Sequence, residues 1–121
     1  MILFSVNRID ATAEKNLNAV VSACKQMSGG KYTSGFGCYE GDIETCFMTN
    51  QNEIAISLAK KYNQDCYFER GHYGYWYLIE TSTGDILDIF KGIVEKAASW
   101  PNENIGKPYT LMGGKVYVAE K

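Results

Sequence analysis

Residues 36–69 read FGCYEGDIETCFMTNQNEIAISLAKKYNQDCYFE, and this stretch decides the fold. Its pattern predicts a strand, a tight turn, a second strand, a helix and a third strand. Gly41 supplies the positive φ a hairpin loop needs, and Asp42 tolerates it. With Glu40, Gly41 and Asp42 as the loop, Cys38 falls opposite Glu44 and Phe36 opposite Cys46. Tyr39, Ile43, Thr45 and Phe47 then share the other face, which is bulkier and is expected to pack on a helix. That helix follows at once. Asn50 is the expected N-cap, and Glu53 three residues later makes a capping box. Ile54, Leu58 and Tyr62 recur every four residues with Ala55 and Ala59 beside them, an apolar stripe slim enough for close approach to a sheet. Lys60 and Lys61 suit the negative end of the helix dipole, and Asn63 suits a left-handed cap. Residues 66–69 alternate as a short strand.

Working outward, residues 2–6 read as a strand and residues 7–10 break it. Asp10 or Thr12 caps a helix whose apolar stripe is Leu17, Val20, Val21, Cys24 and Met27, ended by Ser28-Gly29-Gly30. Residues 31–39 form a strand in which Gly35 and Gly37 suggest a bulge or the close approach of another backbone. After a turn at 70–72, residues 73–80 give the strongest strand signal of the chain, aromatic and apolar almost throughout. A turn at 81–85 leads to a strand at 86–90 and then a short helical turn; the alternative is a helix from an Asp85 cap to Ala98, which Gly92 interrupts. Residues 100–104 read as loop. The end is a hairpin, 109–112 and 115–119 around Gly113-Gly114. The sum is an α+β domain: two main helices on one face of a twisted, mostly antiparallel sheet of five to seven short strands.

At 121 residues the chain holds one core, residues 1–121 as a single domain, and a chain of this length folds without metal or disulfide staples. No apolar run approaches the length a membrane span needs, and the apolar opening lacks the basic segment of a signal peptide. A cytoplasmic protein without membrane association is expected, as a monomer or homodimer. Charges are scattered and sum to −2, which argues against a nucleic-acid binder with a broad basic patch. The four cysteines, Cys24, Cys38, Cys46 and Cys66, lack the spacing of a zinc ribbon or finger, and read as small packed hydrophobes in a reducing compartment. The hairpin register sets Cys38 and Cys46 diagonally, against a disulfide. No cofactor or metal is expected.

Glu44-Thr45-Cys46-Phe47, then Leu58-Ala59-Lys60-Lys61-Tyr62-Asn63-Gln64-Asp65 and Tyr67, resembles a small domain-of-unknown-function family of bacteria and phages. That family shows Glu, any residue, Ser, then Phe or Trp, followed by a helix ending in Leu-Ala and an aromatic, then Gln and a short strand. Cys46 stands where the family has serine. Gly37 and Tyr39 match its Gly-x-Tyr lead-in, and Tyr109-Thr110 with Gly114 match its closing hairpin. The resemblance implies the same hairpin–helix–strand arrangement and a phage or mobile-element origin, hence a host cytoplasm as location. It implies no activity.

The candidate site residues are Tyr39, Glu44, Gln64, Tyr73, Tyr75 and Tyr77. Glu44 among thiols and Gln64 at the helix end suggest a small polar pocket, or a structural lock in which the Gln64 amide bonds Glu44 or backbone. The run Tyr73, Tyr75, Trp76, Tyr77, with Tyr32, Tyr39 and Tyr67, suggests phenol rings on the sheet face away from the helices. Alternatively Trp76 and Leu78 are core and the tyrosines cover an edge. His72 in a turn lacks a nucleophile beside it in sequence, and a Cys–His pair is the one catalytic set the composition offers. These features favour a non-enzymatic binding protein acting on a host protein, possible forms including a phage-encoded inhibitor of a defence or regulatory system. The alternatives are a single-stranded nucleic-acid or nucleotide binder using the aromatics with Lys31, Arg70, Lys91 and Lys107, and a small enzyme centred on a Cys/His pair or Glu44.

Overall fold

The computed structural model describes residues 1–39, 42–96, 109–112 and 115–120. Helix α1 (Ala13–Met27) starts at Thr12, whose hydroxyl accepts the Lys15 backbone N–H at 3.2 Å. Its stop at Ser28 comes where the glycine pair begins. The buried stripe of α1 is Ala19, Ala23 and Met27, with Val20 and Cys24 half-buried. Leu17 and Val21, expected in that stripe, are exposed. The buried face carries smaller residues instead, Ala19 and Ala23 sharing one core cluster with Ala55 and Ala59 of helix α2 (Asn52–Lys61). Asn16, a turn earlier, ties the helix to the preceding loop by exchanging hydrogen bonds with the Arg8 backbone at 2.9 and 3.0 Å.

Helix α2 begins one residue later than the Asn50 cap would have it. Gln51 occupies the N-cap without a side-chain capping bond. Its amide is used elsewhere, donating to the Met27 carbonyl at 3.0 Å and so joining the start of α2 to the end of α1. The far end is as expected. Asn63 sits at φ 53, and the Gln64 N–H returns to the Ala59 carbonyl at 2.9 Å.

The strands are β1 (Ile2–Ser5), β2 (Tyr32–Tyr39), β3 (Asp42–Thr49), β4 (Cys66–Arg70), β5 (Trp76–Glu80), β6 (Ile86–Phe90), β7 (Gly92–Lys96), β8 (Tyr109–Met112) and β9 (Lys115–Glu120). They form one sheet in the order β6-β5-β4-β1-β3-β2-β8-β9-β7, antiparallel at every pairing. The α+β class stands, with both helices on one face. The sheet reaches nine strands because residues 92–96, expected as a helical turn, are extended and pair with β9. The expected strand over 73–80 begins only at Trp76, since His72–Gly74 is a 3-10 turn. The closing hairpin is present, while the loop at 100–104 and the turns at 40–41 and 113–114 lie outside the described residues.

Strands β6 and β7 stand at opposite ends of that order, yet Lys91 alone separates them. The sheet therefore curls until its two ends meet at that residue. Among the described residues nine strands, two of them halves of one bent strand, make a ring of eight. A ring of that size has an interior about wide enough for side chains and no more. The inner cluster fits that. Leu3, Cys46, Trp76 and Met112 are buried together, with Met48, Phe68, Phe90 and Tyr117 against them, and they come from strands all round the ring. The helices pack outside, over Ile2, Phe4, Phe47, Tyr67 and Ile79.

The β2–β3 register differs by one residue from the expected one. Tyr39 pairs with Asp42, Cys38 with Ile43, Phe36 with Thr45 and Gly37 with Glu44. A slip of one residue turns every β2 side chain to the opposite face. This register puts Gly35 and Gly37 on the inside of the ring and Phe36 outside. At Gly35 a side chain would collide with the Leu111 carbonyl, the close backbone approach expected of a strand glycine. Phe47 is wholly buried under the helices, but Ile43, expected there too, is 68% exposed because the helices do not reach that end of β3.

Candidate functional site

The expected site residues separate into three places. Gln64 closes α2, and its amide donates to the Asn7 carbonyl at 2.8 Å, fastening the helix end to the chain leaving β1. Glu44 lies half-buried on the inner side of β3, opposite Gly37. Its charge, after burial itself, pushes the Cys46 thiol up to about 12. Burial first, then Asp65 and Glu44, also raise the Cys66 thiol. Tyr39 ends β2, and its side chain lies outside the described residues. Tyr73, Tyr75 and Tyr77 belong to the turn between β4 and β5 and to β5 itself.

A cleft of about 480 Å³ opens where the end of α2 faces the β5–β6 turn, lined by Gln64, Asp65, Cys66, Glu80 and Leu87 among others. Its thiol is held neutral by the shift just described, which makes it a poor nucleophile. His72 stands past the opposite end of β4 from Cys66, a separation of ~13 Å along the strand at ~3.3 Å per residue, so these two do not meet. Among the described residues no three His, Cys, Asp or Glu side chains cluster as a metal requires, and no helix is long and apolar enough to cross a membrane.

The second concavity, about 340 Å³, is lined by Glu69, Arg70, Gly71, His72 and Tyr77. The turn above it is held at both ends. The Gly71 N–H donates to the Tyr75 carbonyl at 2.7 Å, and the Tyr75 N–H donates to the His72 carbonyl at 3.1 Å. Gly71 lies flat against the Tyr77 ring, where a side chain would collide. Within this fastened turn Tyr73 takes φ 58 and ψ 25, a left-handed conformation that bulky residues avoid. Its ring is 97% exposed.

The expected aromatic sheet face does not form. Tyr32 and Tyr67 lie on the helix-covered side and Trp76 is buried inside the ring, while Tyr77 is half-buried against the helix-side core. Strand alternation divides them, since Tyr32 pairs with Thr49 and Tyr67 with Ile79, both on the outer side, whereas Trp76 points in with Phe90. Among the described tyrosines, Tyr73 and part-exposed Tyr75 remain as the accessible rings. Gly74, at φ 79, was the one local signal that residues 72–75 turn rather than continue the strand. Comparison with protein-family models and with curated proteins finds no match for this chain.

Proposed function

We propose that this chain is a non-enzymatic binding protein that docks on another protein through the turn at 72–75, with Tyr73 as its anchor. The observation that carries the reading is the Tyr73 backbone and ring taken together. The left-handed conformation costs roughly 1–2 kcal/mol for a residue with a side chain, and here it holds a large amphipathic ring out in water. Among the described residues the ring has one ring contact, with its neighbour His72, and is otherwise in solvent. A preorganised tyrosine projecting beside a concavity is the form that interface anchors take. The resemblance described above suggests one form of this function, a phage-encoded inhibitor of a host defence or regulatory protein working in the host cytoplasm.

Replacing Tyr73 with glycine separates binding from folding. Glycine relieves the left-handed strain at some cost in chain entropy, so stability is expected to hold or to rise by up to ~1 kcal/mol. Capture of the partner from host lysate on immobilised wild-type protein, with light scattering of the eluted complex, is expected to fail with Tyr73→Gly. A Tyr73→Gly chain that is equally stable and still retains the partner contradicts the reading.

A further inference from the structure

We infer that the β8-β9-β7 wall of the ring opens as one unit, with its seam at β2–β8 and its hinge at Lys91, while the helix-backed strands stay folded. The topology isolates this wall. Of its three ladders, β7–β9 and β8–β9 lie within it, and β2–β8 alone joins it to the other strands. Along the chain it hangs from β6 by Lys91.

The seam is short of side chains. It comprises the pairs Gly35–Met112, Phe36–Leu111, Gly37–Thr110 and Cys38–Tyr109. Cross-strand side-chain pairs are what stabilise neighbouring strands. On the inner side β2 offers only Gly35 and Gly37, so Met112 and Thr110 have no β2 side chain directly opposite them. Glycine also loses more chain entropy on ordering than any other residue. On the outer side Phe36 is 52% exposed and Leu111 part-exposed, so the helices do not clamp this seam. Among the described residues, the wall is held from inside by Met112, buried in the inner cluster with its sulfur accepting the Thr33 hydroxyl at 3.2 Å, and by Tyr117 against that cluster. The β1–β4 seam is narrower still, with the pairs Ile2–Glu69 and Leu3–Phe68. Parting it would split the helix-side core, because Ile2 and Phe4 on one side and Tyr67 and Ile79 on the other share one cluster with both helices. Local opening follows the region with the fewest buried apolar contacts, and here that is β2–β8.

Opening bares Cys46. Cys46, Gly35 and Met112 stand in one row across β3, β2 and β8. Cys46 is 5% exposed, and with no side chain at Gly35 its cover on that side is Met112 of the wall.

The test reads one motion in two ways. Native-state hydrogen exchange of the wild-type chain is followed by mass spectrometry, and alkylation of Cys46 by iodoacetamide is followed by peptide mapping under the same conditions. The seam amides and the Cys46 thiol are expected to report one opening equilibrium, at least tenfold more populated than the opening that exposes the amides of β1 and α2. A Phe36→Cys/Leu111→Cys chain, oxidised across the seam, is expected to alkylate at Cys46 at least tenfold more slowly, and reduction to restore the wild-type rate. Cys46 protected as strongly as β1 and α2 overturns the inference, since its exposure then needs unfolding of the whole chain. Seam amides that open without Cys46, or a cross-linked chain alkylated at the wild-type rate, overturn it as well. The two wild-type measurements decide alone if the cross-link does not form.

Discussion

Gly35 and Gly37 occupy alternate positions in β2 on the same side of the ring, yet they tolerate change differently. A methyl at Gly35 collides with the Leu111 carbonyl, which is backbone and held by the β2–β8 pairing; a methyl at Gly37 meets nothing within 4 Å. Gly35→Ala is expected to cost ~3 kcal/mol or more, and Gly37→Ala to change stability by less than ~1 kcal/mol, both read from urea midpoints. Equal effects would mean that β8 does not lie where the register puts it. Cys46 gives a second prediction at this scale. Its thiol is raised to about 12 by burial first and by Glu44 second, from an ordinary value near 9. Below pH 9 the thiol is neutral in both folded and unfolded chains and its contribution is fully present. Above that the unfolded chain ionises first, so stability falls by roughly 1.4 kcal/mol per pH unit until the folded pKa is reached. Tyr67 and Cys66, both raised chiefly by burial, act in the same direction. Urea midpoints are expected to drop between pH 8.5 and pH 10.5 and to drop less in Cys46→Ala; a flat profile contradicts the burial of this thiol. The sequence offered a bulge or the close approach of another backbone as the reason for these glycines, and the structure shows the second. The sequence did not show which glycine, because β8 is some seventy residues away.

The helices show where periodicity reads well and where it fails. For α2 the stripe, the basic last turn and the left-handed Asn63 were all legible, because each depends on neighbours within a few residues. The start of the helix was not. Its Gln51 amide is taken by the Met27 carbonyl, and such a tertiary demand has no local signature. In α1 the leucine and valines suggested one face, and the buried one is turned from it, holding Ala19, Ala23 and Met27 with Val20 and Cys24 half-buried beside them and leaving Leu17 and Val21 in solvent. Leu17→Lys is therefore expected to leave the melting temperature nearly unchanged, whereas Ala23→Lys unfolds the chain, as circular dichroism would report. Gln64 acts at the same scale. Its amide bridges the end of α2 to the Asn7 carbonyl, so Gln64→Ala is expected to lose ~1–2 kcal/mol by leaving that carbonyl unmet. Captured partner should be unaffected, because Gln64 is remote from the docking turn; a loss of binding without a loss of stability would move the site to the α2 cleft.

At the scale of the whole molecule, the class of fold was readable from alternating strand and helix signals, and closure was not. The expected helical turn after Phe90 would have ended the sheet there. Instead the chain stays extended through Lys91, an ordinary lysine between two apolar runs, and what bends it round is the pairing of β7 with β9. The site was legible in part for the same reason. The tyrosines were visible, but their division between inside, outside and solvent follows from pairing partners that sequence does not reveal.

The junction at Lys91 also works like the clasp of a bracelet. The residue is exposed, and a trypsin-like protease reads lysine. One cut there leaves every pairing in place but lets the two ends of the sheet part, and β6 and β7, each paired on one side only, then present their open borders to other chains. A clipped chain is expected to pair with other clipped chains and elute as larger species, where the intact one does not.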